Sequence, residues 1–144
     1  MSKAKSIGTR AETAVRNYLL STGYTELEAH RNVLTGSQDQ GDVWLRDPKH
    51  GLIVFELKGG DMAKKASHEQ CLKWFDEVEK EKKHAAGSYG FLVTQRAGVG
   101  YPRAGEWWAY AKLSDLFSLR FGNCDLDSTI VRLPLRNLVA IIHG

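Results

Sequence analysis

The sequence predicts a single α/β domain with a central mixed β-sheet flanked by helices. A length of 144 residues fits one compact domain with a core of its own. Short runs rich in β-branched and aromatic residues alternate with longer segments of helical periodicity. Their order, α-β-β-β-α-β-β-α, is typical of a sheet with a helix packed on each side.

The chain begins with a small basic segment and a helix. Residues 1–8 are predicted to form a flexible basic arm. The helix is predicted from Thr9 to about Ser21, because apolar residues recur there at helical spacing and Gly23 supplies a stop. The mixed segment 24–33 could hold a short strand.

A β-hairpin is predicted next. Polar residues make Thr35–Gly41 a loop, and Asp42–Leu45 reads as a short strand. The turn Asp47–Gly51 leads into a second strand, Leu52–Lys58, whose apolar run ends at two glycines. The close spacing of the two strands favours an antiparallel pair.

The second half continues with a charged helix, a strand, a glycine-rich loop, a strand and a short helix. Its Glu77–Lys83 stretch, EVEKEKK, is interpreted as a solvated helix face. The type of the segments within 125–143 is left open. The helix is predicted over Ala63–His84 and the strand after it over Tyr89–Thr94. The glycine-rich loop is Gln95–Gly105, the next strand Glu106–Ala111 and the short helix Leu113–Arg120.

Composition restricts the class of protein only loosely. A formal charge of +3 and a pI near 8.9 permit a polyanionic partner without requiring one. No apolar stretch approaches the length of a membrane span, and residues 1–10 lack the hydrophobic segment typical of a secretory signal, so we expect neither feature. Cys71 and Cys124 are isolated thiols without CxxC or metal-finger spacing, so we expect a reducing, cytoplasmic setting.

Charged residues lie at the end of the most apolar strand. Glu56 and Lys58 alternate with apolar residues and therefore share one face of the strand. Asp42 opens the preceding strand, so both carboxylates can project toward one point, which suits Mg²⁺, and Lys58 can stabilise charge beside it. Two plainer interpretations remain: an exposed Glu56–Lys58 ion pair worth about 0–1 kcal/mol, and an Asp42 that bonds its own turn.

A third acid, Glu12, lies in the first turn of the predicted helix and borders its buried face. A structural role is also open to it. With Thr9 it forms a T-x-x-E capping box, and Arg16 stands four residues on as an ion-pair partner.

The series of Glu12 on a first helix, Asp42 opening a strand and Glu56-Leu57-Lys58 on the next strand resembles the PD-(D/E)xK nuclease superfamily. Within it, the segment GTRAETAVRNYLLSTGY is similar to the opening helix of archaeal and phage Holliday-junction resolvases. The resemblance covers about residues 6–95. Gly41 replaces the proline that precedes the aspartate in the superfamily's motif.

This resemblance implies a restriction-endonuclease-like domain in which Asp42 and Glu56 bind the metal and Lys58 is catalytic. Glu12 completes the metal site directly, through water or through a second ion. Gln70 is a further catalytic candidate, because Gln70 and Trp74 give Q-x-x-x-W, similar to the Q-x-x-x-Y motif of RecB-like nucleases. Its alternative is a capping box that begins at Ser67.

Basic and aromatic residues around these positions are candidates for contact with DNA. Ser37, Gln38 and Gln40 could also touch the backbone of the cut strand, although a plain polar loop explains them as well. Three clustered aromatics could stack on bases, line a subunit interface or, most commonly, belong to the core. The basic candidates are Lys3, Lys5, Arg10, Arg16, Lys64, Lys65, Arg96 and Arg103, and the aromatics are Trp107, Trp108 and Tyr110.

The resemblance thus implies a Mg²⁺-dependent endonuclease, with Mn²⁺ as a substitute, that resolves four-way DNA junctions in a phage or prokaryotic cell. A homodimer is expected, with the apolar segment Leu135–Ile142 in its interface or in the monomer core. Alternatives are a restriction-like or RecB-like nuclease on duplex DNA and a DNA-binding domain of the same fold without catalysis. A fourth is an unrelated α/β domain with a chance E-x-K.

Overall fold

The computed structural model describes residues 3–32, 41–123 and 125–144, with only the backbone described for residues 3–8 and Gly41. It is an α/β fold with one six-stranded sheet whose strands lie side by side in chain order. Strands β3 and β4 are parallel and the other neighbours are antiparallel, which confirms the predicted mixed sheet. The strands are β1 Ala29–Asn32, β2 Gly41–Asp47, β3 Gly51–Lys58, β4 Tyr89–Thr94, β5 Trp108–Lys112 and β6 Ile130–Pro134. The helices are α1 Lys3–Ser21, α2 Gly60–Lys64, α3 His68–His84, α4 Leu113–Phe121 and α5 Leu135–His143, with a 3₁₀ helix at Tyr101–Glu106.

Helix α1 is longer than the sequence predicted. It begins at Lys3, so residues 3–8 are helical rather than a flexible arm. Thr9 and Glu12 consequently lie inside the helix, and the capping box predicted for them does not form. The hydroxyl of Thr13 donates to the carbonyl of Thr9 at 2.8 Å, a bond that belongs to a helix interior.

The charged helix predicted as one element over Ala63–His84 is two. Helix α2 ends at Lys64, and α3 begins after Ser67, whose hydroxyl accepts the backbone N–H of Gln70 at 3.1 Å. Such an N-cap satisfies one of the free N–H groups at a helix start, worth about 1 kcal/mol. The cap considered as the alternative role of Gln70 is therefore present.

The two faces of the sheet pack against different helices. One face and α1 form the main core, in which Leu19, Phe55 and Phe91 are fully buried. The other face meets α3 through a smaller cluster that includes Trp74 and Tyr110. Since each fully buried large apolar side chain contributes roughly 1.5–3 kcal/mol, both clusters hold the sheet firmly in place.

The C-terminal segment, whose type the sequence left open, forms β6 and α5. The apolar side of α5 lies in the main core, with Leu135, Leu138, Val139 and Ile142 buried. Of the two roles considered for Leu135–Ile142, the structure therefore shows burial in the monomer. No helix in the described ranges is long and apolar enough to cross a membrane.

Candidate active site

The strands bring Asp42, Glu56 and Lys58 together. In the antiparallel register of β2 and β3, Asp42 lies directly opposite Glu56, and Lys58 follows two residues later on the same face. All three are buried, with exposed fractions of 3%, 2% and 4%. We call this region, where Asn32, Asp42, Lys58, Thr94 and Trp108 stand at strand ends, the site end of the sheet.

The Asp42–Glu56 pair is electrostatically strained. Burial first, and then a side-chain hydrogen bond with Asp42 and the charge of Asp42, raise the pKa of Glu56 to about 10, although Lys58 opposes the shift. Within the described ranges, Oδ2 of Asp42 and Nδ2 of its cross-strand neighbour Asn32 are buried without a hydrogen-bond partner. Buried polar atoms normally have partners, so these two indicate a site adapted to a further polar group or ion.

Lys58 is enclosed by three side chains. Its Nζ lies 3.1 Å from Oε2 of Glu77, 3.7 Å from Oε1 of Glu56 and 5.4 Å above the ring of Trp74. Glu56 and Lys58 therefore lie close together, but both side chains are buried, so the interpretation as an exposed surface pair is wrong. Only the contact with Glu77 is short enough for a hydrogen bond.

Glu12 approaches the pair from α1 and is engaged by an arginine that the sequence analysis missed. Arg31 on β1 donates from Nε to Oε2 of Glu12 at 2.7 Å. Burial raises the pKa of Glu12, the Arg31 contact lowers it, and the charge of Asp42 raises it. Arg16, the predicted partner, instead donates to the carbonyl of Ala29 at 3.2 Å. No signal in the sequence pairs Arg31 with Glu12, because the two residues are 19 positions apart and only tertiary packing brings them together.

Helix α3 supplies two further carboxylates. Glu77 binds Lys58, and the pKa of Glu81 is raised by burial, by the charge of Asp42 and by a side-chain hydrogen bond with Asp42. This stretch is therefore more than the solvated face that the sequence predicts, because Glu77, although 44% exposed, binds the buried Lys58, and Glu81 is partly buried. The sequence held a signal for both residues. Glu77 and Glu81 follow Trp74 in steps of three and four, and such steps place them on the same helix face as the Q-x-x-x-W motif.

Gln70 lies on that same face of α3, one turn before Trp74. Its backbone N–H is used by the Ser67 cap. Within the described ranges its side chain makes no hydrogen bond to the acidic groups at the site end. The structure thus places Gln70 on the helix face that covers Lys58 without bringing it into the cluster.

The carboxylates at the site end suit a small, hard cation that keeps part of its water shell, rather than a metal ion held entirely by protein side chains. Among residues 3–32, 41–123 and 125–144, no three His, Cys, Asp or Glu side chains form a group that could hold a metal ion. Asp42 and Glu56 remain as a carboxylate pair, while Glu12 is held by Arg31. Mg²⁺ commonly uses one or two carboxylates and keeps several waters, so the pair suits it.

No known protein family, curated protein or solved structure matches the chain.

The basic candidates occupy different surroundings. Lys64 and Lys65 at the end of α2 are exposed, and Arg96 follows β4 at the site end. Arg10 is exposed over the ring of Tyr101, 4.5 Å from its centre. Arg103 is exposed in the 3₁₀ helix, whereas Arg16 is committed to the Ala29 carbonyl and to Glu26 at 3.9 Å. The side chains of Lys3 and Lys5, the loop residues Ser37, Gln38 and Gln40, and Cys124 lie outside the described residues.

The aromatic cluster is mostly core, as the commonest of the three interpretations had it. Trp107 is fully buried and its indole N–H donates to the carbonyl of Val99 at 3.0 Å. Tyr110 is buried against α3. Only Trp108 is half-exposed, so it alone of the three reaches the surface at the site end.

Proposed function

We propose that this protein is a metal-dependent DNA endonuclease with a restriction-endonuclease-like domain, acting on four-way junctions in the manner of a Holliday-junction resolvase. The observation that carries the proposal is the pairing of Asp42 with Glu56 across β2 and β3, with Lys58 on the same face. A buried carboxylate pair with an unpartnered oxygen is costly in a metal-free protein. Such a cost is typical of functional sites.

Asp42 and Glu56 would hold Mg²⁺, with Mn²⁺ as a substitute. When bound, such an ion lowers the pKa of water and offsets negative charge on a phosphodiester during hydrolysis. The Asp42 oxygen that lacks a partner supplies one point of attachment, and ionisation of Glu56 supplies a second.

Lys58 would act on the phosphate itself. Its ammonium carries three protons and uses one of them in the hydrogen bond to Glu77. A remaining proton can be donated to a phosphate oxygen that enters the site end, where the low dielectric strengthens the contact. Glu77 and Trp74 keep Nζ at this position. Glu12, fixed by Arg31, adds negative charge beside Asp42 and thereby favours a cation at the pair.

The substrate and assembly follow from the same proposal. A four-way junction has two-fold symmetry, so we expect a homodimer that presents two sites. The exposed Lys64 and Lys65 and the nearby Arg96 would neutralise phosphates beside the cut strand. A cytoplasmic setting is part of the proposal.

Cleavage of a labelled four-way junction and of a matched linear duplex, with and without Mg²⁺, tests the proposal. We expect paired symmetric nicks in the junction alone, reduced about 100-fold or more in Asp42→Asn and Glu56→Gln. Asp61→Asn is the control, because this α2 carboxylate is 85% exposed. Equal cutting of the duplex overturns the junction preference alone. DNA binding without cleavage in Mg²⁺ or Mn²⁺ favours a non-catalytic domain, and no binding favours an unrelated α/β domain.

A further inference from the structure

A cationic cavity opens at the site end of the sheet, separate from the carboxylates. It has a volume of about 230 Å³ and lies between α2, the segment after β4, and strands β5 and β6. Its described lining includes three basic residues, Lys64, Arg96 and Arg132, and no acidic residue. Trp108 and Tyr110 form its aromatic wall. A concentration of positive charge without a counter-charge favours an anionic ligand.

Trp108 organises the two arginines of this cavity. The guanidinium carbons of Arg96 and Arg132 lie 4.1 Å and 4.0 Å from the centre of its ring. Strand β5 lies between β4 and β6, so Arg96 approaches the ring from one neighbouring strand and Arg132 from the other. Cation–π contacts of this kind contribute about 0.5–1 kcal/mol each at partly exposed positions. Because both guanidinium groups contact this one ring, the ring holds the two arginines close together at the cavity.

Neither arginine has a carboxylate partner within residues 3–32, 41–123 and 125–144. Arg96 donates from Nη1 to the carbonyl of Glu106 at 3.3 Å. The third cation, Lys64, is 3.9 Å from the highly exposed Asp61. Each guanidinium has five N–H donors in a planar fork, so most N–H donors of the two arginines remain available to a ligand. Guanidinium groups match the geometry of phosphate oxygens.

The cavity and the carboxylate pair face the same side of the sheet. Lys58, Thr94 and Trp108 form one cross-strand row on the face that carries Glu56. Two strand spacings separate β3 from β5, which is about 10 Å. Adjacent phosphates of one DNA strand advance about 3.4 Å along the duplex axis but lie about 7 Å apart in space, so a phosphate in the cavity lies about one or two nucleotides from one at Lys58.

We propose that Arg96, Trp108 and Arg132, with Lys64, form a preorganised clamp for one internal phosphodiester of the DNA, about one or two nucleotides from the scissile phosphate. This inference rests on the proposed function in taking DNA as the ligand. Arg96 and Arg132 bind the phosphate oxygens, and Trp108 is a positioning residue that acts through them.

The first test measures the affinity of labelled junction DNA over a range of salt concentrations in EDTA, where cleavage is prevented. Arg96→Gln and Arg132→Gln are each expected to weaken binding about 10- to 100-fold and to reduce the salt slope by about one unit. Arg120→Gln is the matched control, since it removes the same charge from an exposed position on α4. An effect no larger than that of the control overturns the clamp.

Trp108 variants separate positioning from folding. Trp108→Phe keeps an aromatic ring and is expected to retain most of the affinity, whereas Trp108→Leu is expected to weaken binding as much as loss of one arginine. Circular dichroism and urea unfolding identify any variant that has lost its fold. Equal binding by folded Phe and Leu variants overturns the positioning role.

A methylphosphonate scan locates the phosphate. A single uncharged linkage, moved along the strand on both sides of the expected cut, should weaken wild-type binding most at about the first or second phosphate from that cut. The same substitution should have a smaller effect in Arg132→Gln, because part of the interaction is already lost, while Arg96 and Lys64 remain. An equal loss at that position in both proteins, or a gain in wild-type affinity confined to DNA with a terminal phosphate, overturns the assignment. If the wild-type protein binds DNA without cleaving it, the proposed endonuclease activity is refuted, and the scan still tests the clamp. If the wild-type protein binds no DNA, both proposals are refuted.

Discussion

Replacing Glu56 by glutamine is expected to stabilise the metal-free protein at neutral pH. In the wild-type protein, burial and then the contact with Asp42 raise the pKa of Glu56 from 4.5 to about 10. Folding therefore requires this carboxyl to stay protonated at a pH where the unfolded chain would ionise it. Glutamine has a similar shape, can donate to Asp42 as the protonated acid does, and carries no ionisable group.

The size of the effect follows from proton linkage. Between a pH near 4.5 and a pH near 10 the folded state binds one proton more than the unfolded state at this group, so stability falls as pH rises. The slope is about 1.4 kcal/mol per pH unit, which amounts to about 3 kcal/mol lost by pH 7. Glu56→Gln removes this loss, so the variant should exceed the wild type by up to about 3 kcal/mol at pH 7.

Urea unfolding in EDTA from about pH 5 to about pH 8, followed by tryptophan fluorescence, measures both quantities. The wild type should lose stability with increasing pH, and the variant should show a much smaller slope. Saturating Mg²⁺ should raise wild-type stability most at high pH, because a cation at the pair favours ionised Glu56 and its binding releases a proton. A wild-type protein whose stability rises with pH in EDTA, or a variant less stable than the wild type at pH 7, would refute the strained pair.

Two further predictions concern stability away from the site end. Tyr24→Phe should cost about 1–2 kcal/mol in urea unfolding, because the hydroxyl of Tyr24 donates to the buried Oδ2 of Asp47 at 2.6 Å; an unchanged midpoint would contradict this. Gly105→Ala should cost about 1–3 kcal/mol, since a Cβ there would lie 2.5 Å from the ring of Tyr18, while Gly100→Ala, with its nearest atom at 3.7 Å, should be near neutral. Equal midpoints for the two alanine variants would contradict the clash.

The hairpin and its charged residues could be predicted because their signals are local. Alternation along Leu52–Lys58 fixed which side chains share a face, and a short turn allowed only an antiparallel partner. Asp42 opposite Glu56 follows directly from that register. Strand β4 is confirmed with its predicted bounds, since a buried run between a glycine and a polar loop leaves little freedom.

The partners of those residues could not be predicted in the same way, because tertiary packing determines them. Arg31 reaches Glu12 from a strand 19 positions away in sequence, and Glu77 reaches Lys58 across the same separation. A mixed-charge helix looks solvated in sequence, yet α3 crosses the sheet where Glu77 and Glu81 meet buried groups. Arg132 was missed for a similar reason, since the type of its segment was undecided until β6 paired with β5.

The balance of charge at the site end leads to a prediction for DNA binding itself. Glu56 is protonated in the metal-free protein, and the four other carboxylates, those of Glu12, Asp42, Glu77 and Glu81, stand against two cations, Arg31 and Lys58. A phosphate that approaches Lys58 is therefore repelled unless a divalent cation offsets the excess. Two unit charges about 4 Å apart in a watery environment interact by about 1 kcal/mol, or about fivefold in affinity.

We therefore expect Asp42→Asn to bind junction DNA about fivefold more tightly than the wild type in EDTA. Ca²⁺ should raise wild-type affinity in fluorescence anisotropy and leave the variant unchanged or weaker, because divalent ions elsewhere compete for the DNA phosphates. Asp61→Asn controls for loss of a negative charge near the site, since this carboxylate is highly exposed and should respond to Ca²⁺ as the wild type does. If Ca²⁺ weakens DNA binding equally in all three proteins, the cation is not acting at the Asp42–Glu56 pair, and the acidic cluster has a purely structural role.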